Sequence, residues 1–328
     1  MDLKGMKAAL GDKALEAEPL SKHTTFAVGG PADLFVLAQT LPELRTYVRL
    51  SWEHRVPYFI LGGGANILVA DKGIRGLVIH NQCSAVEIAP GEDVETWLVR
   101  AESGAAIGAV ARQAIAHGLA GLEWAVDVPG TVGGAVVGNA GAYGAYVSDS
   151  LQGVVLLSPA EGERWQPSSE LKLGYRSSIF KQNKKAGGLE GLTSSTPSGG
   201  NFSPKVANFS PVILSATFAL HKEDTMLIQA RAAEHSRHRA ETQPQGLSAG
   251  SVFKRTAQYP AGFLIENAGL KGKRIGGAIV SPQHANFIIN LGTATARDVQ
   301  ELIQCIRETV YTKFKILLEL EIELVGDW

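Results

Sequence analysis

Two runs of glycine and other small residues limit what this chain can fold into. The first is Leu61-Gly-Gly-Gly-Ala-Asn-Ile67, set between short apolar stretches at 58–61 and 67–69. The second is Val128-Pro-Gly-Thr-Val-Gly-Gly-Ala135, continued by Asn139-Ala-Gly-Ala-Tyr-Gly144. Glycine tolerates backbone conformations closed to other residues, so clusters of it mark backbone bent closely around something. In the first run, three glycines leave main-chain amides uncovered and free to face an anion. No helix is predicted after it, so it is not a dinucleotide-binding fingerprint. Taken alone, it also reads as a plain turn between strands. The second run is too rich in small residues to build a core by itself. It suits backbone laid against a large flat ligand that carries a diphosphate.

Around these runs the 328 residues divide into three segments. Residues 1–80 hold a strand at 32–38, a helix at 41–55, and further strands at 58–61, 67–69 and 76–80. The helix carries Leu44, Tyr47, Val48 and Trp52 on one face. Residues 81–220 hold strands at 96–101, 154–158 and 212–220, and a helix at 107–117 ended by Gly118. Within this segment, 182–211 loses all periodicity and reads as an exposed or disordered insertion rich in Ser, Gly and Pro. Residues 221–328 hold helices at 226–239 and 260–268, with Pro260 suited to a first turn. Thr295 and Asp298 form a capping box for a third helix, reaching about residue 313. The alternation from 317 to 325 predicts a closing strand with Glu319, Glu321 and Glu323 on one face. Three glutamates on one face usually mark a solvated edge.

Charge and targeting signals narrow the class. Basic and acidic side chains nearly cancel, 31 against 32, so no field suited to nucleic acid arises. An anionic ligand must be met by local charge. Cys83 and Cys305 match no metal or redox spacing, and no metal site is expected. The N-terminus lacks an apolar signal core, and no stretch of about 20 apolar residues could span a membrane. A cytoplasmic protein is expected.

Four further motifs offer reactive groups. Tyr175-Arg176 presents a guanidinium fork matched to carboxylate or phosphate, although a lone Tyr-Arg pair is most often surface. Ser251, in Ala249-Gly-Ser-Val-Phe-Lys-Arg255, follows a glycine that can hold it out into a pocket. The absence of a G-x-S-x-G elbow argues against acyl transfer and leaves a proton-donor role. The segments 274–278 and 284–287 read as a hairpin with polar edges. The glutamates near the C-terminus complete the set.

Taken in order, these motifs resemble a known family. Leu20-Ser-x-His-Thr-Thr-Phe-x-Val-Gly-Gly-Pro-Ala-Asp33 and the two glycine runs look like the FAD domain of the vanillyl-alcohol-oxidase type. Tyr-Arg-Ser-Ser178, Gly-Ser-Val-Phe-Lys254, Ala-Gly-Leu-Lys-Gly-x-Arg-Ile-Gly-Gly277 and Glu-x-Glu-Ile-x-Leu-Val-Gly326 resemble the UDP-N-acetylenolpyruvoylglucosamine reductase family within it. The segment His284-Ala-Asn-Phe287 suggests the shorter of its two types. The resemblance implies an α+β protein: a two-subdomain PCMH-type FAD-binding fold at 1–80 and 81–220, and a C-terminal α/β substrate-binding domain at 221–328. It implies non-covalent FAD held by Gly62, Gly63, Gly64, Ala65, Asn66, Ile67, Pro129, Gly130, Thr131, Gly133, Gly134, Asn139, Ala140 and Gly141. NADPH is the implied reductant and a UDP-sugar the substrate, with no nucleic-acid or membrane partner and a monomeric state. Ser251 matches the family's proton donor, and Arg176 and Glu321 match its stabilising residues. Tyr175, Arg239, Lys254 and Arg255 are candidates for binding the substrate, and Lys271, Lys273 and Arg274 are further cations within reach of a diphosphate. Thr256 departs from the pattern, standing where the family often has proline.

The implied chemistry adds two expectations. A serine is a poor acid, so Ser251 needs help, and Lys254 is the nearest candidate. A carboxylate at Glu321 would repel the charge that develops on the substrate, so Glu321 either is protonated or orients Arg176; protonation is the expectation taken here. Two other readings stay open. A sugar or alcohol oxidase on the same fold would often tether its flavin through His or Cys, and neither occurs in 62–66 or 129–144. A non-catalytic nucleotide-sugar binder would not need Ser251, Arg176 and Glu321 together.

Overall fold

The structure, a computed structural model, describes residues 1–93, 95–181 and 210–328. Most of the insertion expected at 182–211 therefore lies outside the described residues. The first layer is a four-stranded sheet in the order Leu15–Pro19, Pro31–Ala38, Ile74–Asn81, Tyr58–Leu61. Its two parallel pairings join apolar runs. Pro31–Ala38 and Tyr58–Leu61 both pair parallel to Ile74–Asn81, and only the Leu15–Pro19 edge is antiparallel. Parallel neighbours need a crossover, and the helix Leu41–Glu53 supplies one. Its Leu44, Tyr47 and Val48 are buried against the sheet, as their spacing predicts, while Trp52 is half-buried.

The second layer is antiparallel, in the order Gly162–Pro167, Leu151–Ser158, Val212–Lys222, Thr96–Glu102, Val86–Pro90, with Leu119–Ala120 pairing the far end of the long central strand. The helix Ile107–Ala116 and a short helix, Val132–Gly138, pack on it within one core. The sequence reading assigns no helix within 128–144, and this one is an addition. Glycine weakens a helix interior, so this turn is held from outside. Val132 and Gly133 donate their amides to Ala105 O and Ser103 O at 2.8 Å each, and the Thr131 side chain caps Gly134 N. The chain then reverses through a hairpin, Gly141–Ala142 to Ala145–Tyr146.

The C-terminal part packs the helices Ala261–Asn267 and Ala296–Phe314 around a three-stranded sheet, Arg274–Ile275, Ala278–Val280 and Ile288–Asn290. Pro260 stands just before its helix, at the cap rather than in the first turn. Both capping-box bonds of Thr295 and Asp298 form. The closing strand is shorter than the alternation suggests. Only Glu323–Val325 pairs, parallel to Ile67–Val69, and upstream a single bridge joins Leu320 to Phe253. The three glutamates do not share a solvated face: each meets a different cation, Lys254, Arg176 and Lys181 in turn.

Polar contacts lock the parts together. Asp71 accepts from Ala296 N and Arg297 N at the start of the last helix, at 2.8 and 3.1 Å. Asn290 donates to Phe26 O at 2.9 Å. Arg231, on the helix Thr225–Thr242, bridges Glu123 and Glu223 at 2.6 Å each. The last strand's pairing with Ile67–Val69 therefore brings the C-terminus alongside the first glycine run.

Candidate active site

Five stretches of the chain, between Tyr175 and Glu321, line one cavity of about 430 Å³. Tyr175, Arg176, Ser251, Arg255 and Glu321 all contribute to its wall. Arg239 and Lys254 do not. Arg239 lies on the helix Thr225–Thr242, and the Lys254 ammonium is 3.3 Å from the exposed Glu319 carboxylate, so the structure does not direct it at Ser251.

Arg176 is held on a tight turn. Gly174 and Ser177 exchange both main-chain hydrogen bonds, at 3.0 and 3.1 Å. Arg176 itself adopts φ 53°, a left-handed conformation that costs a non-glycine residue roughly 1–2 kcal/mol. The turn is anchored from the second glycine run. Asn139 Nδ2 donates to Gly174 O at 3.0 Å, and Arg176 Nη2 donates to Gly141 O at 2.9 Å. Arg176 Nε lies 2.6 Å from Glu321 Oε1, although its N–H is not aimed at that oxygen.

Ser251 and Glu321 are fixed by neighbouring backbone. Ser251 follows Gly250 at φ 75° and pairs with Phe287. Glu321 N donates to Val252 O at 2.8 Å, and Lys254 N donates to Glu319 O at 2.8 Å. On the other side, the buried Asn286 amide accepts from Phe253 N at 3.0 Å and donates to Phe253 O at 2.9 Å. Asn286 falls in the segment 284–287 singled out from the sequence, but no role is assigned to it there, because an asparagine serving distant backbone has no local signature. The Ser251 hydroxyl makes no hydrogen bond to protein among the described residues and stays free for a ligand. Burial pushes the Glu321 carboxyl above its ordinary value, and Arg176, Lys181 and Lys254 pull it back only in part. His284, also in the wall, is held below the usual imidazole range by burial. Its Nδ1 accepts from Asn286 N at 3.2 Å, which leaves Nε2 to carry the proton of the neutral ring.

The two glycine runs meet backbone to backbone. A Cβ on Gly63 would lie 3.0 Å from Gly130 Cα, and one on Gly62 would lie 2.4 Å from Thr131 Oγ1. Gly64, at φ 60°, would drive a Cβ to 2.4 Å from His23 O. The amides of Gly63, Gly64, Ala65 and Asn66 find no protein acceptor among the described residues, so they suit a phosphate. Gly130 would meet little but Ala65, at 3.9 Å. This paired, side-chain-poor cradle fits FAD, and neither loop offers a His or Cys for a covalent tether. Some residues expected to hold the flavin have side chains committed to the fold instead. Asn66 Nδ2 donates to Glu321 O at 3.1 Å, and Asn139 Oδ1 accepts from Ser148 N at 3.0 Å. The helix after Thr131 has its first amides spent on protein oxygens, so the second run offers the ligand a surface rather than a helix end.

Residues 243–325 match the C-terminal domain of UDP-N-acetylenolpyruvoylglucosamine reductase, and residues 32–166 match an FAD binding domain. A UDP-N-acetylenolpyruvoylglucosamine reductase from Alkaliphilus oremlandii is 39% identical over 319 residues, covering 96% of this chain and 94% of that protein. The chain belongs to the UDP-N-acetylenolpyruvoylglucosamine reductase family. A relative of the same name from Exiguobacterium sibiricum is 41% identical over 94% of this chain and 92% of its own. The crystal structure of the Thermus caldophilus member of the family superposes with a TM-score of 0.71 at 31% identity, covering 94% of this chain and 98% of that one. The expected α+β architecture, a PCMH-type FAD-binding fold with a C-terminal domain, is that of the family.

Proposed function

We propose that the cavity holding Arg176, Ser251 and Glu321 is where this FAD-dependent oxidoreductase reduces UDP-N-acetylglucosamine enolpyruvate to UDP-N-acetylmuramate, a step of peptidoglycan precursor synthesis. The observation that carries the assignment is the convergence of those three residues, 70 or more positions from one another in sequence, on the wall of one cavity. FAD, when bound in the glycine cradle, supplies the hydride, with NADPH as its source.

The chain's own residues handle the charge and the proton. Hydride arrival at the terminal enolpyruvyl carbon forms a C–H bond and pushes the double-bond electrons onto the carboxylate. Arg176 meets that developing charge with a fork already fixed by Gly141 O and Glu321, so little reorganisation is needed. Ser251 Oγ then gives its proton to the neighbouring carbon and recovers one from solvent. Acid help of this kind is typically worth about 10²–10⁴-fold. In the free protein Glu321 orients Arg176. As the substrate carboxylate claims the guanidinium, the buried Glu321 loses its counter-charge and is favoured to take up a proton. Glu321→Gln, which keeps a neutral donor, should then retain more activity than Glu321→Ala; equal losses would contradict the protonated form.

On this reading 1–80 and 81–220 hold the flavin and 221–328 the substrate, with Tyr175 and Arg255 on the nucleotide side. The chain acts as a cytoplasmic monomer on small molecules. Among the described residues no helix is long and apolar enough to cross a membrane. The test is an absorbance spectrum followed by anaerobic NADPH. Yellow protein that bleaches, then recovers colour with the enolpyruvyl UDP-sugar, supports the reductase. Recovery only with oxygen supports an oxidase, and protein that cannot be loaded with FAD refutes both.

A further inference from the structure

The departure at Thr256 builds something. Its amide and its hydroxyl both donate to Tyr259 O, at 3.1 and 2.7 Å, and the hydroxyl accepts from Tyr259 N at 3.0 Å. A proline there would offer neither donor. The closed turn delivers Tyr259 to the start of the helix Ala261–Asn267, where its ring stacks on Phe263 with centroids 5.5 Å apart and planes 17° apart. Both rings nevertheless stay open, at 44% and 50% exposure, and Phe263 lines the cavity. A fixed aromatic pair left exposed, with one ring in the cavity wall, is suited to a planar ligand group.

The order of groups along the chain says which group. Ser251 marks the reacting end. Arg255 lies four residues on, along a segment bridged at Ser251 and Phe253. At ~3.3 Å per residue four residues reach at most about 13 Å, enough to span a hexose. Arg255 also lines the cavity, is exposed, and has no acidic partner among the described residues. A cation so placed suits a diphosphate, and Phe263 lines the same cavity with Tyr259 stacked on it. We propose that Tyr259 and Phe263, pinned by Thr256, form the platform on which the pyrimidine base of the nucleotide stacks, with Arg255 on the diphosphate. The proposal rests on the reading that the cavity takes a UDP-sugar.

Calorimetric titration of the FAD-loaded protein with UDP and with inorganic diphosphate tests it. Base–aromatic stacking predicts that Phe263→Ala weakens UDP binding about 5- to 150-fold and leaves inorganic diphosphate binding unchanged. Phe263→Trp should restore UDP affinity. Thr256→Val, which removes only the hydroxyl's bonds, should weaken UDP binding in the same direction by less. Phe263 is half exposed, so its truncation should fold, and retained flavin checks this. Variants at Phe263 and Tyr259 that bind UDP as tightly as the wild type would overturn the platform and leave the UDP-sugar reading standing. An equal loss for UDP and diphosphate would overturn it too, because the effect would then not be the base. A wild-type protein that binds neither ligand would overturn the UDP-sugar reading and the platform together.

Discussion

Removing the guanidinium of Arg176 should destabilise the protein by an amount that depends on pH. Arg176 Nε lies 2.6 Å from Glu321 Oε1, and the two side chains are only 22% and 13% exposed. Stripping one partner from a buried pair leaves an uncompensated charge, at a cost of about 3–5 kcal/mol. Lys181 and Lys254 still act on Glu321, and some water reaches the pair, so about 3 kcal/mol is the expectation for Arg176→Met near neutral pH. The pH dependence follows from the direction of the Glu321 shift. Burial already holds its folded pKa above the ordinary 4.5, so Glu321 favours the folded state at low pH, and that contribution is lost as pH rises through the folded value. Loss of Arg176 raises the folded value further and extends the decline to higher pH.

The assay is thermal unfolding of FAD-loaded Arg176→Met beside wild type in mildly acidic and mildly alkaline buffer. At 2–4 °C per kcal/mol for chains somewhat shorter than this one, about 3 kcal/mol is a drop of roughly 5 °C on the alkaline side. On the acidic side, where Glu321 can take a proton, most of the drop should vanish. The double variant Arg176→Met with Glu321→Gln has no buried charge to strand and should recover most of the alkaline loss. Equal drops in both buffers, or a double variant no better than the single, would refute the claim that Arg176 compensates a buried charge on Glu321.

What the sequence carried and what it hid divide by the range of the interactions. Leu44, Tyr47 and Val48 announce their helix because the burial pattern repeats within a few residues, and Thr295 with Asp298 announces another because a capping box is local. The helix Val132–Gly138 is hidden because its propensity is poor and its support comes from Ser103 O and Ala105 O, some thirty residues upstream. The overlong strand prediction fails for the same reason in reverse. Alternation at 317–325 is a local property, whereas a strand needs a partner, and only Glu323–Val325 has one in Ile67–Val69. The site follows this division. Glycine, serine, arginine and glutamate in order were enough to nominate the cradle, Ser251, Arg176 and Glu321. The asparagine side chains that fix them were given no such role from the sequence: Asn286 was given none, and Asn66 and Asn139 were named for the cofactor while their side chains also bond Glu321 O and Ser148 N. A side-chain amide can serve backbone or ligand, and composition does not distinguish the two. Cations fare worst, because Lys254 and Arg239 have the right charge and only geometry shows that neither lines the cavity.

Three further outcomes test the site from other directions. Gly64→Ala places a Cβ 2.4 Å from His23 O at φ 60° and should lower flavin bound per protein; full flavin loading would show that the first glycine run is not the cradle. Asn286→Ala leaves Phe253 N and O without their buried partner, so unfolding should come earlier by about 1–3 kcal/mol and turnover should fall with it; loss of neither would remove Asn286 from the support of Ser251. Ser251→Ala separates the two halves of the reaction. Bleaching by NADPH delivers no proton to a substrate carbon and should persist. Recolouring by the enolpyruvyl sugar should slow by about 10²–10⁴-fold, the range of general acid catalysis. The Ser251 hydroxyl has no protein partner among the described residues to lose, so a slow second half cannot be blamed on a broken scaffold. If both halves slow together, Ser251 shapes the flavin pocket and donates nothing; if neither slows, the proton comes from elsewhere in the cavity wall, and His284 is the group to test next.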